Sequence, residues 1–321
     1  METILVTATL LWSFKAGAPA DAAAVVAGDR VYFACADKKL YALRLADGEK
    51  VWARRFKAPL AASPAAAAGA VFHYVPYPEG KIYAFREASG KRAWRAAAGK
   101  GLVNVAATAA FVAAPLGDAV VFYDAGSGEQ VGKCNLGGRV AGVVAAPGEL
   151  FVAWTAGGDV AAIRAGAPSP RWKKNAAPTG LFVTVGDDRV FAVGAPGVVV
   201  ALSLEDGDEI WRREFPGPAA GPPSPAGPIV IVPFRRTVVA LDAADGVTSW
   251  EQPAAANAVG AAPYRDGAVI VYEDGRWAWA SAAAAADLGA LAGRVTAAPT
   301  VAGDLVLVSD GVNRLNCYRL R

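Results

Sequence analysis

The chain has 321 residues, of which 32 are basic and 29 acidic, for a formal net charge of +3. Such a balance, with no long basic run, gives no electrostatic footprint for nucleic acid, and no apolar stretch is long enough for a membrane-spanning helix. The 35 glycines and 21 prolines punctuate short Val-rich apolar runs, which reads as strands and turns rather than helices.

The N-terminal segment has an apolar core, Ile4–Trp12, but opens on Glu2 and runs into Ser13-Phe14-Lys15 rather than a small-residue cleavage site. It reads as a strand, with an uncleaved or mis-assigned export signal as the alternative. From there the chain repeats a strand, a polar turn, a second strand, a Gly turn and a Trp. The first copy is Val31–Ala34, Asp37-Lys38-Lys39, Leu40–Leu43, Asp47-Gly48 and Trp52. The second is Val71–Val75, Glu79-Gly80-Lys81, Ile82–Phe85, Gly90 and Trp94. The third carries Phe111-Val112, Val120–Asp124 and Gly128, with Gly132 where Trp would stand. The fourth, fifth and sixth reach Trp172, Trp211 and Trp250. The seventh passes through Val269–Tyr272, Asp274-Gly275 and Trp277–Ala280 into an Ala-rich stretch. There, Ser281–Leu291 is the one segment that reads as a short helix, on the helix propensity of alanine. The eighth copy ends with Leu315–Tyr318.

The second strand ends at 43, 85, 123, 163, 202, 241, 280 and 318, in steps of 42, 38, 40, 39, 39, 39 and 38 residues. A period near 40 with short strands predicts one all-β domain over residues 1–321, an eight-bladed β-propeller of four-stranded antiparallel blades. Trp12 stands 40 residues before Trp52, so an N-terminal strand at about 9–15 is expected to complete the last blade with residues 294–321. Closure of that kind removes an exposed sheet edge. A six- or seven-bladed reading would turn one evenly spaced copy into a loop.

Catalytic signatures are scarce. Cys35, Cys134 and Cys317 are widely spaced and form no C-x-x-C pair, which suits free buried thiols in a reducing, cytoplasmic compartment; an exported or envelope-associated protein is the alternative. One Met, two Gln and six Asn beside abundant Pro resemble a thermophile's composition, although high genomic GC content gives the same bias. The single histidine, His73, sits in an alternating strand and reads as a strand residue rather than a triad member. A multi-histidine metal site is excluded, and no phosphate-binding glycine loop follows a strand. The Asp-Gly pairs fit hairpin turns. No catalytic residue, metal or cofactor is assigned.

One constellation suggests binding. In copies 1, 6, 7 and 8 the turns between the second and third strands carry Lys38-Lys39, Arg235-Arg236, Arg276 and Asn313-Arg314, contiguous once the propeller closes. The other copies carry Glu79, Asp118 and Asp159 at these turns, with Lys81 as the main basic exception. A basic sector for an anionic or acidic-peptide ligand is one reading. Solvated turns part-neutralised by Asp37, Glu273, Asp274 and Asp310 are the other. The stretch from His73 through Tyr77 to Pro78 is a second candidate, as an aromatic rim stiffened by proline.

The pattern Val-Tyr-Phe, Asp-x-x-Leu-Tyr-Ala-Leu, Asp-Gly-x-x-x-Trp resembles the Trp-docking repeat of the PQQ-like, quinoprotein-type β-propellers over essentially the whole chain. The resemblance implies that Trp12, Trp52, Trp94, Trp172, Trp211 and Trp250 dock between neighbouring blades. The family spans alcohol dehydrogenases, a scaffold lipoprotein of outer-membrane assembly and sensory domains, so it implies architecture more than activity. The dehydrogenases carry long insertions and a vicinal Cys-Cys pair, and this chain has neither. The expected function is therefore a monomeric, non-enzymatic scaffold for a protein or peptide partner. A PQQ- or metal-dependent oxidoreductase and a carbohydrate-binding envelope propeller are the alternatives.

Overall fold

The computed structural model describes residues 6–98, 104–177, 179–254 and 256–321, and among them no helix occurs. The chain forms eight four-stranded antiparallel sheets, the blades of an eight-bladed β-propeller. Strands are lettered A to D in order across each sheet. Two compact units divide the blades, Met1–Ala53 with Gly217–Arg321 and Arg54–Pro216.

The first unit holds blades 6, 7 and 8 and, up to its last strand, blade 1. Blade 1 comprises Val25–Ala27, Arg30–Cys35, Lys39–Arg44 and Lys50–Arg55. Blade 6 comprises Ser224–Ala226, Ile229–Pro233, Thr237–Asp242 and Thr248–Pro253. Blade 7 comprises Ala258–Tyr264, Gly267–Tyr272, Arg276–Ser281 and Ala285–Ala290. Blade 8 takes strands A to C from Thr300–Ala302, Leu305–Ser309 and Arg314–Leu320, and strand D from Ala8–Lys15. Its two ends pair from Ala8↔Leu320 to Lys15↔Arg314, with a bulge between Leu10 and Trp12. The second unit holds blades 2 to 5, with D strands Arg92–Ala97, Gln130–Asn135, Trp172–Asn175 and Glu209–Glu214.

Burial grades along each blade. Strands B and C are buried on both faces, as in Arg30–Cys35 and Lys39–Arg44, because each blade is sandwiched between neighbours. Their sequences accordingly read as apolar runs rather than as alternation. Strand D is mostly exposed and buries little besides its Trp, as in Lys50–Arg55 and Arg92–Ala97. A large aromatic at that position covers the blade's outer face with one side chain, and truncating such a residue costs about 3–5 kcal/mol.

The indoles are held on two sides. Within their own blades, Trp52, Trp94 and Trp211 lie 5.8–6.0 Å from Tyr32, Phe72 and Phe191 between ring centroids. Towards the next blade, Trp12, Trp94 and Trp172 donate Nε1–H to the carbonyls of Leu45, Ala125 and Leu204 at 2.8–2.9 Å, each the first residue after a C strand. Their rings lie over Gly48, Gly128 and Gly207, which have φ of +71°, +76° and +76°. A Cβ there would come within 2.5–2.6 Å of the indole carbons, so both the backbone conformation and the ring's approach require glycine. At the junction of blades 3 and 4 no Trp is present. Gly132 takes its place, and a Cβ on it would stand 2.6 Å from the Gly166 Cα, so two backbones seal that junction.

Ser281–Leu291 is not a helix. Ser281 ends strand C of blade 7 and Ala285–Ala290 is its strand D, paired through Ala280↔Ala285 and Trp279↔Ala286. The waiting edge of strand C supplies the hydrogen bonds that alanine would otherwise have found in a helix, so tertiary pairing overrides propensity.

The glycine requirement separates into two parts by experiment. Gly207→Ala should lower stability by about 2–4 kcal/mol, combining left-handed strain with displacement of Trp172. Gly148→Ala, at φ +72° but with nothing within 4 Å of its Cβ, should lose only about 1 kcal/mol. Urea denaturation of both variants checks this; equal losses would show that the ring contact contributes nothing.

Candidate functional site

In the first unit, the B–C turns meet the connectors that lead from one blade's strand D to the next blade's strand A. Ala16 N–H donates to the Asn313 carbonyl at 2.7 Å, Ala36 N–H to Pro19 at 3.1 Å and Glu273 N–H to Asn257 at 2.8 Å. Ala258 N–H likewise reaches the Arg235 carbonyl at 3.2 Å. The turns of blades 1, 6, 7 and 8 therefore lie at one end of this unit, and Lys38, Lys39, Arg235, Arg236, Arg276, Asn313 and Arg314 are all in or beside them.

The cations differ in their partners. Lys39 Nζ contacts Asp37 and the Tyr41 hydroxyl, both at 3.2 Å. Arg276 forms an ion pair with Asp274 at 2.7 Å, and Arg294 pairs with Glu273, which also accepts from Asn257 at 3.1 Å. These contacts hold the Asp274 and Glu273 carboxyls below the usual range, through Arg276 for the first and through Asn257 and Arg294 for the second. A shallow depression of about 510 Å³ beside them is lined by Ala256, Asn257, Glu273, Asp274, Gly293 and Arg294, so blade 7 contributes acid as well as base to this end. By contrast, Lys38, Arg235, Arg236 and Arg314 have no carboxylate within 4.0 Å among the described residues. Arg235, Arg236 and Arg314 are exposed and Lys38 is half-buried at φ +71°. Arg314 donates to the Ser13 hydroxyl at 3.1 Å.

Two carboxylates at these turns are structural clamps, a role the sequence reading did not assign. Asp37 accepts from Gly17 N–H and Lys39 N–H at 3.1 Å each and from the Tyr41 hydroxyl. Burial alone would raise its pKa; the hydrogen bonds from Tyr41, Cys35, Lys39 and Gly17 outweigh it and lower it. The same burial, with the Asp37 contact, pushes Tyr41 up to about 12. In blade 2, Glu79 repeats the arrangement, accepting from the Tyr83 hydroxyl and from Lys57 N–H at 2.8 Å. A carboxylate four residues before a Tyr, across the B–C turn, is the sequence signal that could have found the clamp. Asp310 caps its own turn instead, one oxygen accepting Val312, Asn313 and Arg314 N–H at 2.8–3.0 Å.

The rim segment of blade 2 needs correcting. His73, Tyr74 and Val75 belong to strand B and are buried; the turn begins at Pro76, and Tyr77 is 71% exposed there. His73 is fully buried, with neither ring nitrogen hydrogen-bonded among the described residues. Burial pushes its pKa down to about 4. It is a core residue of strand B.

The six tryptophans are all buried. Trp250 stands apart from Trp12, Trp94 and Trp172 in that its buried Nε1–H has no acceptor among the described residues. The thiols of Cys35, Cys134 and Cys317 are free and buried, and burial raises all three pKa values, to about 11 for Cys35 and Cys317. Among the described residues no three His, Cys, Asp or Glu side chains converge on a metal position. The donor set thus does not fit the calcium and vicinal disulfide that accompany PQQ in quinoprotein dehydrogenases. No helix of the described residues is long and apolar enough to cross a membrane.

Short-looped, four-stranded blades joined by docked tryptophans define a propeller of the PQQ-like class. The chain matches the PQQ family model described as outer membrane protein assembly factor BamB over residues 5–150, 79–262 and 156–321, and it belongs to that PQQ-like β-propeller family. No curated protein matches it in sequence. Among solved structures it is similar to the computationally designed Ika8 protein, with TM-score 0.83 at 13% identity over 97% of this chain and 99% of that one. BamB from Moraxella catarrhalis gives TM-score 0.76 at 15% identity over 97% and 99%. The quinohemoprotein alcohol dehydrogenase ADHIIG from Pseudomonas putida HK5 gives 0.77 at 13% over 97% of this chain but 76% of that one. At such identities the likeness is one of fold.

The buried histidine makes a prediction about pH. The unfolded chain takes up a proton near pH 6.5, whereas folded His73 resists protonation until about pH 4. Its neutral state therefore supports folding fully above pH 6.5, and that support is lost as pH falls from 6.5 towards 4, by up to about 3 kcal/mol. His73→Phe, which places at this position the residue that blade 1 has at Phe33, should flatten the stability profile over that window. Urea midpoints measured from pH 7.5 to 4 check this; parallel profiles for the two proteins would contradict it.

Proposed function

We propose that this protein is a non-enzymatic scaffold that binds an acidic segment of a protein partner at the B–C-turn end of blades 6, 7, 8 and 1. One observation carries the reading. Lys38, Arg235, Arg236 and Arg314 keep guanidinium or ammonium charge without a carboxylate within 4.0 Å among the described residues, while Lys39, Arg276 and Arg294 at the same end are neutralised. Cations without a close carboxylate, Arg235 having only a longer-range attraction to Glu273, stand beside paired ones and leave a net positive field, which steers and registers an anionic partner. Asn313 and the paired Lys39 and Arg276 supply further donors at the margin, and Tyr77 of blade 2 is an exposed aromatic in the other unit.

The rigidity of the turns supports the same reading. Asp37 and Asp310 fix the backbone beneath Lys38 and Arg314, so these cations are presented from ordered loops and binding costs little conformational entropy. The family match accommodates this role, since the matched model is described by an outer membrane assembly factor.

The probe is a fluorescent deca-glutamate peptide titrated into the intact protein. Binding should weaken steeply with salt, and the variant with Lys38, Arg235, Arg236 and Arg314 all changed to Glu should lose about tenfold or more in affinity. Binding that is absent at low salt, or that the reversals leave unchanged, would refute the reading.

A further inference from the structure

Beside two of the docked indoles the outer rim carries a depression built from equivalent residues. One lies between blades 4 and 5 in the second unit, the other between blades 8 and 1 in the first. Leu150 and Leu305 open strand B of the preceding blade. Arg171 and Leu11 stand one residue before Trp172 and Trp12. Leu204 and Leu45 accept the indole N–H, and Glu205 and Ala46 follow them in the C–D turn. Asp188 and Asp29 stand in the A–B turn of the receiving blade, where their carbonyls accept Leu204 N–H at 2.9 Å and Leu45 N–H at 2.8 Å.

The two depressions differ in what spans them. Between blades 4 and 5, Arg171 and Glu205 form an ion pair at 3.7 Å, and Asp188 accepts a hydrogen bond from Arg189 at 2.9 Å. The space left is about 270 Å³. Between blades 8 and 1, Leu11 and Ala46 replace both partners of that ion pair, and the space is about 490 Å³. The larger figure falls in the range of small-molecule sites, roughly 300–1,000 Å³, and the smaller falls below it. Leu11 is 38% exposed, and with Leu45, Ala46 and Leu305 it makes most of the lining apolar.

The charges around the larger depression are unevenly met. Of the two lining guanidinium groups, Arg44 pairs with Asp47 at 2.9 Å and with Glu49, and Arg319 pairs with Asp304 at 3.0 Å. Asp29 has a 3.5 Å contact to Arg30 that is not a hydrogen bond and a longer-range attraction to Arg44, and its side chain is 78% exposed. Four carboxylates thus stand against three guanidinium groups, and the one in the lining is the least closely held. We propose that this depression binds a small organic cation, an ammonium group on an apolar body. The body lies against Leu11, Leu45, Ala46 and Leu305, and the ammonium meets Asp29. An anionic ligand fits less well, because both lining guanidinium groups already have carboxylate partners and the local balance is acidic.

The probe is dansylcadaverine, a fluorescent primary amine that is cationic at neutral pH, titrated into the full-length protein at low salt. Its fluorescence should rise saturably, and octylammonium should displace it where octanoate at the same concentration does not. Leu11→Arg combined with Ala46→Glu installs, at two exposed positions, the ion pair that blades 4 and 5 already carry there. This variant should bind the dye about tenfold or more weakly, because the apolar lining is covered. Asp29→Asn keeps the carbonyl that holds Leu45 and should weaken octylammonium binding about three- to fivefold, the range of one exposed ion pair, while octanol binding stays unchanged. No saturable binding, full affinity in the double variant, equal displacement by octanoate, or undiminished octylammonium affinity in Asp29→Asn would each overturn the proposal.

Discussion

The indole laid over a left-handed glycine of the next blade is the contact on which the structure depends. Each blade is a twisted sheet with two faces to cover and no common centre to cover them. Strands B and C solve this by being apolar on both sides, but strand D has solvent beyond it. A Trp in six of the eight D strands, at 5–8% exposure, covers the outer junction, and Trp12, Trp94 and Trp172 each tie it with a single N–H to a carbonyl. Because the ring must come within contact of a backbone, the receiving turn has to be glycine. Trp12–Gly48, Trp94–Gly128 and Trp172–Gly207 are three solutions of that one problem. The Trp12 pair has an added role, since the N-terminal strand that carries it also completes blade 8 against Arg314–Leu320.

A period fixed this tightly leaves function to what the turns display. Blades held at one spacing present their B–C turns at one end, and the clamps of Asp37 and Glu79 then anchor the incoming connectors. With the backbone fixed by those clamps and by Asp310, the neighbouring cations become a matter of pairing. Where a carboxylate is in reach, as for Arg276, the turn is neutral. Where none lies within 4.0 Å among the described residues, as for Arg236, the charge stands without a close counterion. Blade 7 shows the converse: its shorter C–D turn leaves the Trp250 Nε1–H without the acceptor that its counterparts find, among the described residues.

Much of this was legible in the sequence. The spacing of the Leu-Tyr-Ala-Leu strands and the 40-residue step from Trp12 to Trp52 made the blade count and the N-terminal completion readable, because both depend on local pattern and regular spacing. The positions that escaped depend on distant neighbours. Ser281–Leu291 reads as helix until strand C is there to pair with it. Asp37 reads as a solvated turn residue, and only the approach of Gly17 makes it a clamp. His73 to Val75 reads as the start of a rim loop, although the apolar alternation of Val71–Val75 placed it in a strand. The loss of Trp250's acceptor is invisible at Trp250 itself, being caused by two residues missing from a turn more than thirty positions away.

The most direct test of the docking rule and its exception is the proton spectrum of the indole N–H groups in the ¹⁵N-labelled protein, assigned by Trp→Phe variants. A hydrogen-bonded indole proton is deshielded. The account predicts that the Trp12, Trp94 and Trp172 resonances lie downfield and that Trp250 lies distinctly upfield of them. A Trp250 resonance among the other three would contradict it.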